Sequence, residues 1–223
     1  PEHENDFNDW YVNDHLPERV SLPGFRRGRR WQSVGPEPRY FTFYEIDDVA
    51  VMTSERYRER LEAPTAWTRR IMPAFTAMNR SICRVTVRLG SGDGGASAVI
   101  RLKPFEDTHG ALRDRVRRDV LPMVMGMRGI VGASLWELDG EASTTVETAE
   151  TRLRGGADAV IDWALVFEAT RPEELAPLVR VGEDLSAKSP EAASVGPLER
   201  YRLLCGLNHD AAVALVGGRD SKG

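Results

Sequence analysis

One histidine of this chain stands in a setting that suits proton transfer. His15 follows Tyr11 by four residues, so on a helix the two side chains share a face. An imidazole with a pKa near ~6.5 exchanges protons close to neutrality, and a neighbouring phenol can orient a substrate or donate to a developing oxyanion. Around this pair the sequence offers Trp10, Trp31, Tyr44 and Trp67. Tyr44 is the best-suited polar partner, because a buried phenol seeks a hydrogen bond. The tryptophans would line a site for a flat, apolar or aromatic ligand, although aromatic residues at such positions more often simply fill a core. Arg26, Arg27, Arg29 and Arg30 crowd one short stretch. At a strand's period of two, Arg27 and Arg29 share a face with Phe25 and Trp31, and Arg26 and Arg30 lie opposite. Arg29 is the candidate for a two-point contact with a carboxylate or phenolate. The other three read as charge that protects an exposed strand edge.

Other chemistries find no support. His3, His109 and His209 show no metal-ligand spacing with cysteine or paired carboxylates, and neither a phosphate-cradling loop nor a dinucleotide fingerprint occurs. Cys83 and Cys205 fall in strand patterns, where a small buried hydrophobe is expected. A lone histidine gives no reason to expect haem. The expectation is therefore a site with no cofactor and no metal. A net charge of −4 argues against nucleic-acid binding. The longest apolar stretch, Ile161 to Phe167, is broken by Asp162 and is too short to span a bilayer. With no secretory leader legible and two cysteines, a reducing cytoplasm is the default location. The expected partner is a small-molecule substrate, with a homodimer left open.

The elements that must position these residues recur along the chain. Asp14, Leu16, Pro17, Gly24 and Trp31 are matched by Asp119, Leu121, Pro122, Gly129 and Trp136, each pair 105 residues apart. The first half reads as a helix to Val20 that Pro17 should kink or end, strands at Gly24–Val34 and Tyr40–Ile46 around a turn at Gly35-Pro36-Glu37-Pro38, a helix capped by Ser54, a helical piece from Trp67, and a strand to Leu89. After a glycine-rich linker at Ser91–Gly95, the second half reads as strand, helix, strand, strand, helix and strand. Residues 141–156 read as a polar, exposed insertion. This gives two ferredoxin-like repeats, residues 1–90 and 96–208, with a flexible tail over 209–223. The first repeat lacks an opening strand, which its abrupt start at Pro1 places upstream.

The fold class expected is α+β: tandem ferredoxin-like repeats whose antiparallel sheets pack face to face as a pseudodimeric α+β barrel. The stretches NDWYVNDHLPERVSLPGFRRGRRW, YFTFYEID and PTAWTRR resemble the EthD-like branch of the dimeric α+β barrel superfamily. The resemblance covers most of residues 2–90 and the second repeat in outline. It implies that His15 points into the barrel cavity as acid, base or substrate anchor. The second repeat carries Val120 where the first carries His15, so the helix–strand joint itself does not require the imidazole.

The reading that follows is a cofactor-independent lyase, isomerase or cyclase acting on an apolar or aromatic metabolite. His15 would move the proton, and Tyr11 or Tyr44 would steady the charge. Trp10, Trp31, Trp67 and Arg29 would bind substrate. Two alternatives stay open: a binding or accessory protein using the same cavity, and a cofactor-free monooxygenase of the kind this superfamily contains.

Overall fold

The computed structural model describes residues 3–35, 38–75, 78–144, 147–154 and 158–220. Part of the expected turn, Pro36 and Glu37, and parts of the insertion lie outside them. The first element is helix α1, residues 4–20. It is α-helical over Glu4–Trp10, widens to a π-turn over Tyr11–His15 and returns to α-helix over Leu16–Val20. Pro17 does not end it. A proline in a helix has no amide to donate four residues back, and its ring crowds that carbonyl. The helix absorbs the misfit in the wider π-turn just upstream.

Strands β1 (Phe25–Ser33) and β2 (Tyr40–Ile46) then form an antiparallel pair. Helix α2 (Glu55–Glu62) is capped by Ser54, whose Oγ accepts from the Tyr57 amide at 3.3 Å. Helix α3 (Ala66–Ile71) is capped in the same way by Thr65, and strand β3 spans Cys83–Leu89. The second half runs β4 (Ala96–Pro104), α4 (residues 109–125), β5 (Ile130–Leu138), α5 (Ala149–Arg154), β6 (Trp163–Ala169), α6 (Val179–Lys188) and β7 (Ala192–Asn208). Residues 209–220, expected as a loose tail, form helix α7 (His209–Asp220). It docks on α1, burying Ala212, and His209 Nδ1 donates to the Val20 carbonyl at 2.8 Å.

The strands make one curled antiparallel sheet in the order β2-β1-β7-β4-β6-β5-β3. Within it β7-β4-β6-β5 is the ferredoxin-like order of last, first, third and second strand. The halves interlock at two seams, β1 on β7 and β3 on β5. So each half's last strand completes the other half's sheet. Among the described residues no strand pairs with the outer edges of β2 and β3, the place that a counterpart of β4 would take in the first half.

The 105-residue spacing holds from helix α1 into strand β1. Helix α4 repeats the α1 sequence of α, π and α segments as His109–Arg115, Val116–Val120 and Leu121–Met125, and Ile130 opens β5 as Phe25 opens β1. Gly24 and Gly129 both take positive φ, 84° and 77°. The partnering strands agree in register as well: Phe43 on β2 faces Arg29 on β1, and Val166 on β6 faces Ser134 on β5.

Curling the sheet makes two kinds of core. Its concave side is filled by Trp31, Phe43, Val99, Ala164, Val166 and Tyr201, with Trp136 closing onto Phe43 at 5.3 Å between rings. Its convex side carries the helices. Under α4 and α6 a large aliphatic core gathers residues such as Leu112, Val116, Leu121, Leu135, Leu165 and Phe167. Under α1 and α3 a smaller, more aromatic one holds Trp10, Tyr11, Leu16, Val20, Ile71 and Met72.

The expected insertion is not an exposed appendage. Glu150 on α5 is buried against Arg19 on α1, and Arg19 also reaches Glu18 at 3.1 Å. Glu18 in turn pairs with Arg60 on α2 at 3.0 Å. Burial works against the Arg19 charge, but Glu150 and Glu18 outweigh it and hold the guanidinium protonated.

Two measurements check these supports. Replacing Glu150 by Ala leaves Arg19 with Glu18 alone, which Arg60 shares, and should cost about 1–3 kcal/mol in urea unfolding. Gly24→Ala should cost about 1–2 kcal/mol for the left-handed backbone alone, and more because a Cβ there would strike Val51.

Candidate functional site

The π-turn of α1 builds the site. A wider turn brings side chains four and five apart onto one face, and the rings of Trp10 and Tyr11 lie 4.6 and 5.1 Å from that of His15. Trp10 is fully buried, and its Nε1 donates to Thr68 Oγ1 at 3.1 Å. Thr68 and Thr65 both donate to Asp14 Oδ2, at 3.3 and 2.7 Å, which ties α3 to α1. Trp67 is held from the same helix, its Nε1 donating to Asp6 Oδ1 at 2.9 Å.

Strand β2 lifts Tyr44 against α1, where its hydroxyl meets that of Tyr11 at 3.2 Å. Gly28 on β1 leaves the room: a Cβ there would lie 2.6 Å from Leu16 Cδ1 and 2.9 Å from the Tyr44 ring. Burial, with Tyr11 alongside, pushes the Tyr44 hydroxyl well above the usual range, so it stays a neutral donor. His15 is partly exposed, but its Nδ1 is buried and has no hydrogen-bond partner. Burial, reinforced by the guanidiniums of Arg19, Arg154 and Arg30, holds the imidazole well below its usual pKa. At neutral pH it is therefore uncharged and able to accept a proton.

Arg30 completes the cluster and was not expected here. It is 0% exposed, and its carbon centre lies 4.2, 4.4 and 4.8 Å from the rings of Tyr11, Tyr40 and Phe7. Nε, Nη1 and Nη2 all lack hydrogen-bond partners. Cation–π contacts contribute about 0.5–2 kcal/mol each, whereas stripping water from a charge costs several kcal/mol. The rings therefore offset only part of the penalty, and burial draws the Arg30 pKa down.

The structure divides the expected site residues between the two sides of the sheet. His15, Tyr11, Tyr44, Trp10 and Trp67 come together on the convex side, under α1. Trp31 and Arg29 do not join them. Trp31 is buried in the concave core, and Arg29 stacks on it at 4.4 Å. Arg29 is also engaged structurally, by Glu168, by Asp93 at 3.3 Å and by the Gly94 carbonyl at 2.6 Å. So the concave barrel interior is packed with side chains, and His15 does not point into it.

The alternation did put Arg30 opposite Trp31. It assigned that side to solvent because β1 read as an edge, but β7 covers that edge and α1 covers the face. Of the four arginines only Arg26 matches an exposed role, paired with Asp47. Phe25 leaves the expected face through a bulge between Phe25 and Arg27 and packs 5.9 Å from Tyr44.

The His15 position has a counterpart in the second half. There Val120 borders a shallow pocket of about 140 Å³ between α4 and α6, with Arg115, Asp119 and Lys188 on its rim. Those cations are already engaged, Arg115 with Glu191 and Lys188 with Asp184. Among the described residues no group of histidine, cysteine and carboxylate side chains could hold a metal ion. Among them, too, no helix is long and apolar enough to cross a membrane.

Solved structures share this architecture. A candidate monooxygenase from Fusobacterium nucleatum superposes with a TM-score of 0.58 at 7% identity, covering 93% of this chain and 89% of the other. An anthrone oxidase-like protein gives 0.57 at 10% identity over 94% and 88%. A candidate monooxygenase from Lactobacillus acidophilus gives 0.54 at 8% over 92% and 91%. No family model matches the chain, and no curated protein does. At these identities the likeness shows the fold alone. None of the three carries the EthD name.

The pH response of His15 follows from its lowered pKa. The folded protein binds this proton less readily than the unfolded chain, so stability is lost as pH falls below about 6.5. Relative to His15→Leu, the wild type should lose stability with a limiting slope of about 1.4 kcal/mol per pH unit. Urea unfolding of both proteins at pH 7.0 and pH 5.0 reads that difference, and the double difference cancels every other titrating group.

Proposed function

We propose that the chain is a cofactor-independent enzyme that removes a proton from an aromatic substrate at His15 and hands the resulting electron-rich carbon to molecular oxygen. The observation that carries this reading is the neutral imidazole with an unengaged, buried Nδ1, set against Trp10 and Tyr11. A general base must be deprotonated at working pH and free of competing partners, and His15 is both. Tyr11 and Tyr44 share one hydroxyl–hydroxyl contact. One phenol donates to the other, which leaves a second O–H to stabilise an oxyanion on the substrate.

The reaction balances with molecular oxygen as the only co-substrate. An activated ring methylene loses a proton to His15, and the carbanion reduces dioxygen and combines with it. Loss of water then gives the ketone, so each methylene and each dioxygen consumed become one carbonyl group and one water. The names of the structural neighbours favour this oxygen-dependent form over a lyase or isomerase. The same base would serve either of those, and the same cluster would also suit a binding protein.

An oxygen electrode separates these readings. With an anthrone as probe, wild type should consume oxygen, and His15→Ala should slow uptake by about 10²–10⁴-fold while circular dichroism stays unchanged. Equal uptake by the variant would remove His15 from the chemistry. Product formed under argon at the aerobic rate would turn the reading towards a lyase or isomerase.

A further inference from the structure

We infer that the Arg30 guanidinium is the anchor for an anionic group on the ligand of the His15 cluster, so that the ligand is an aromatic oxyanion, a carboxylate or a phenolate. This rests on the cluster being a substrate site and names what that site takes.

Arg30 is completely buried, yet none of its three nitrogens has a hydrogen-bond acceptor. The rings of Phe7, Tyr11 and Tyr40 face its charge but offer no acceptor to N–H groups that point along the guanidinium plane. Its neighbour on the strand shows how the same chain treats a structural arginine. Arg29 is met by Glu168, Asp93 and a backbone carbonyl. Arg30 has no such partner, and donors left open in this way match a carboxylate by a two-point contact or a phenolate by a charged one.

The second half of the chain supplies the internal control. By the 105-residue spacing the position of Arg30 is occupied by Leu135, that of Tyr11 by Val116 and that of Phe7 by Leu112. By the matching register of β2 and β6, Tyr40 corresponds to Trp163 and Tyr44 to Phe167. All of these counterparts are buried in one apolar core. The architecture therefore closes with hydrocarbon alone, and packing does not call for a guanidinium or phenols at these positions. The first half places a cation, an orphaned imidazole nitrogen and a hydroxyl pair in that same space.

Calorimetric titration with sodium benzoate, 4-nitrophenolate and neutral benzamide tests the anchor. One of the two anions should bind wild type about tenfold or more tighter than benzamide. It should lose at least about tenfold in Arg30→Met, while benzamide binding moves little. Whichever anion behaves so identifies the oxyanion as carboxylate or phenolate. If Arg30→Met does not fold, the wild-type Arg30 side-chain nitrogen resonances serve instead: they should shift with the anion and not with benzamide. No preference for either anion, anion binding unchanged in Arg30→Met, or unmoved Arg30 resonances would each overturn the inference. Its failure is separable from that of the oxygenase reading. An anion bound at Arg30 in a protein that consumes no oxygen upholds the anchor alone, and oxygen uptake indifferent to Arg30→Met upholds the chemistry alone.

Discussion

Strand β1 has no solvent face over its central residues, and the rest of the molecule is arranged around that fact. It is paired on both edges, by β2 and β7, covered on its convex side by α1 and on its concave side by the closing sheet. Into this position the sequence puts Arg-Gly-Arg-Arg-Trp. Charges so placed need compensation, and the two faces provide it by different physics. On the concave side Arg29 is neutralised by Glu168 of the second half and by Asp93, which draws the Ser91–Gly95 linker onto the sheet. On the convex side Arg30 meets only ring faces, and the electrostatic account stays open at its nitrogens.

Two halves whose helix and following strand match at one spacing have thus reached different interiors. Beneath α4 the contacts are aliphatic and extensive; beneath α1 they are aromatic, hydroxylated and fewer. The first half makes up the deficit with pieces from elsewhere. Helix α5 brings Glu150 to Arg19, and α7 lays Ala212 over the end of α1. A site of low aliphatic content inside a half that depends on borrowed contacts fits the common observation that function is housed where packing is not optimal.

Much of the architecture was legible because it rests on periodicity and punctuation. The alternation over Tyr40–Ile46 and the cap at Ser54 are local signals, and both elements form where those signals lie. The companionship of Tyr11 and His15 was legible from their spacing, and survives even though the turn is π rather than α. Three things were not legible. A two-residue period says which residues share a face, but not which face meets a helix, so His15 and Trp31 were read as one site. Local pattern cannot show that β7 would pair with β1, so Arg30 was read as solvated. Polar composition over residues 141–156 concealed a helix whose one buried glutamate is satisfied by an arginine more than a hundred residues earlier.

The two seams also govern the order in which the chain can become itself. Strands β1 and β2 and helix α1 are neighbours in sequence, so their contacts are local. The edge that β1 must close against is β7, far along the chain, where Gln32 faces Arg202. Strand β3 likewise waits for β5. Both closures span long stretches of chain, so the wholeness of the sheet rests on its most distant pairings, the slowest kind to form.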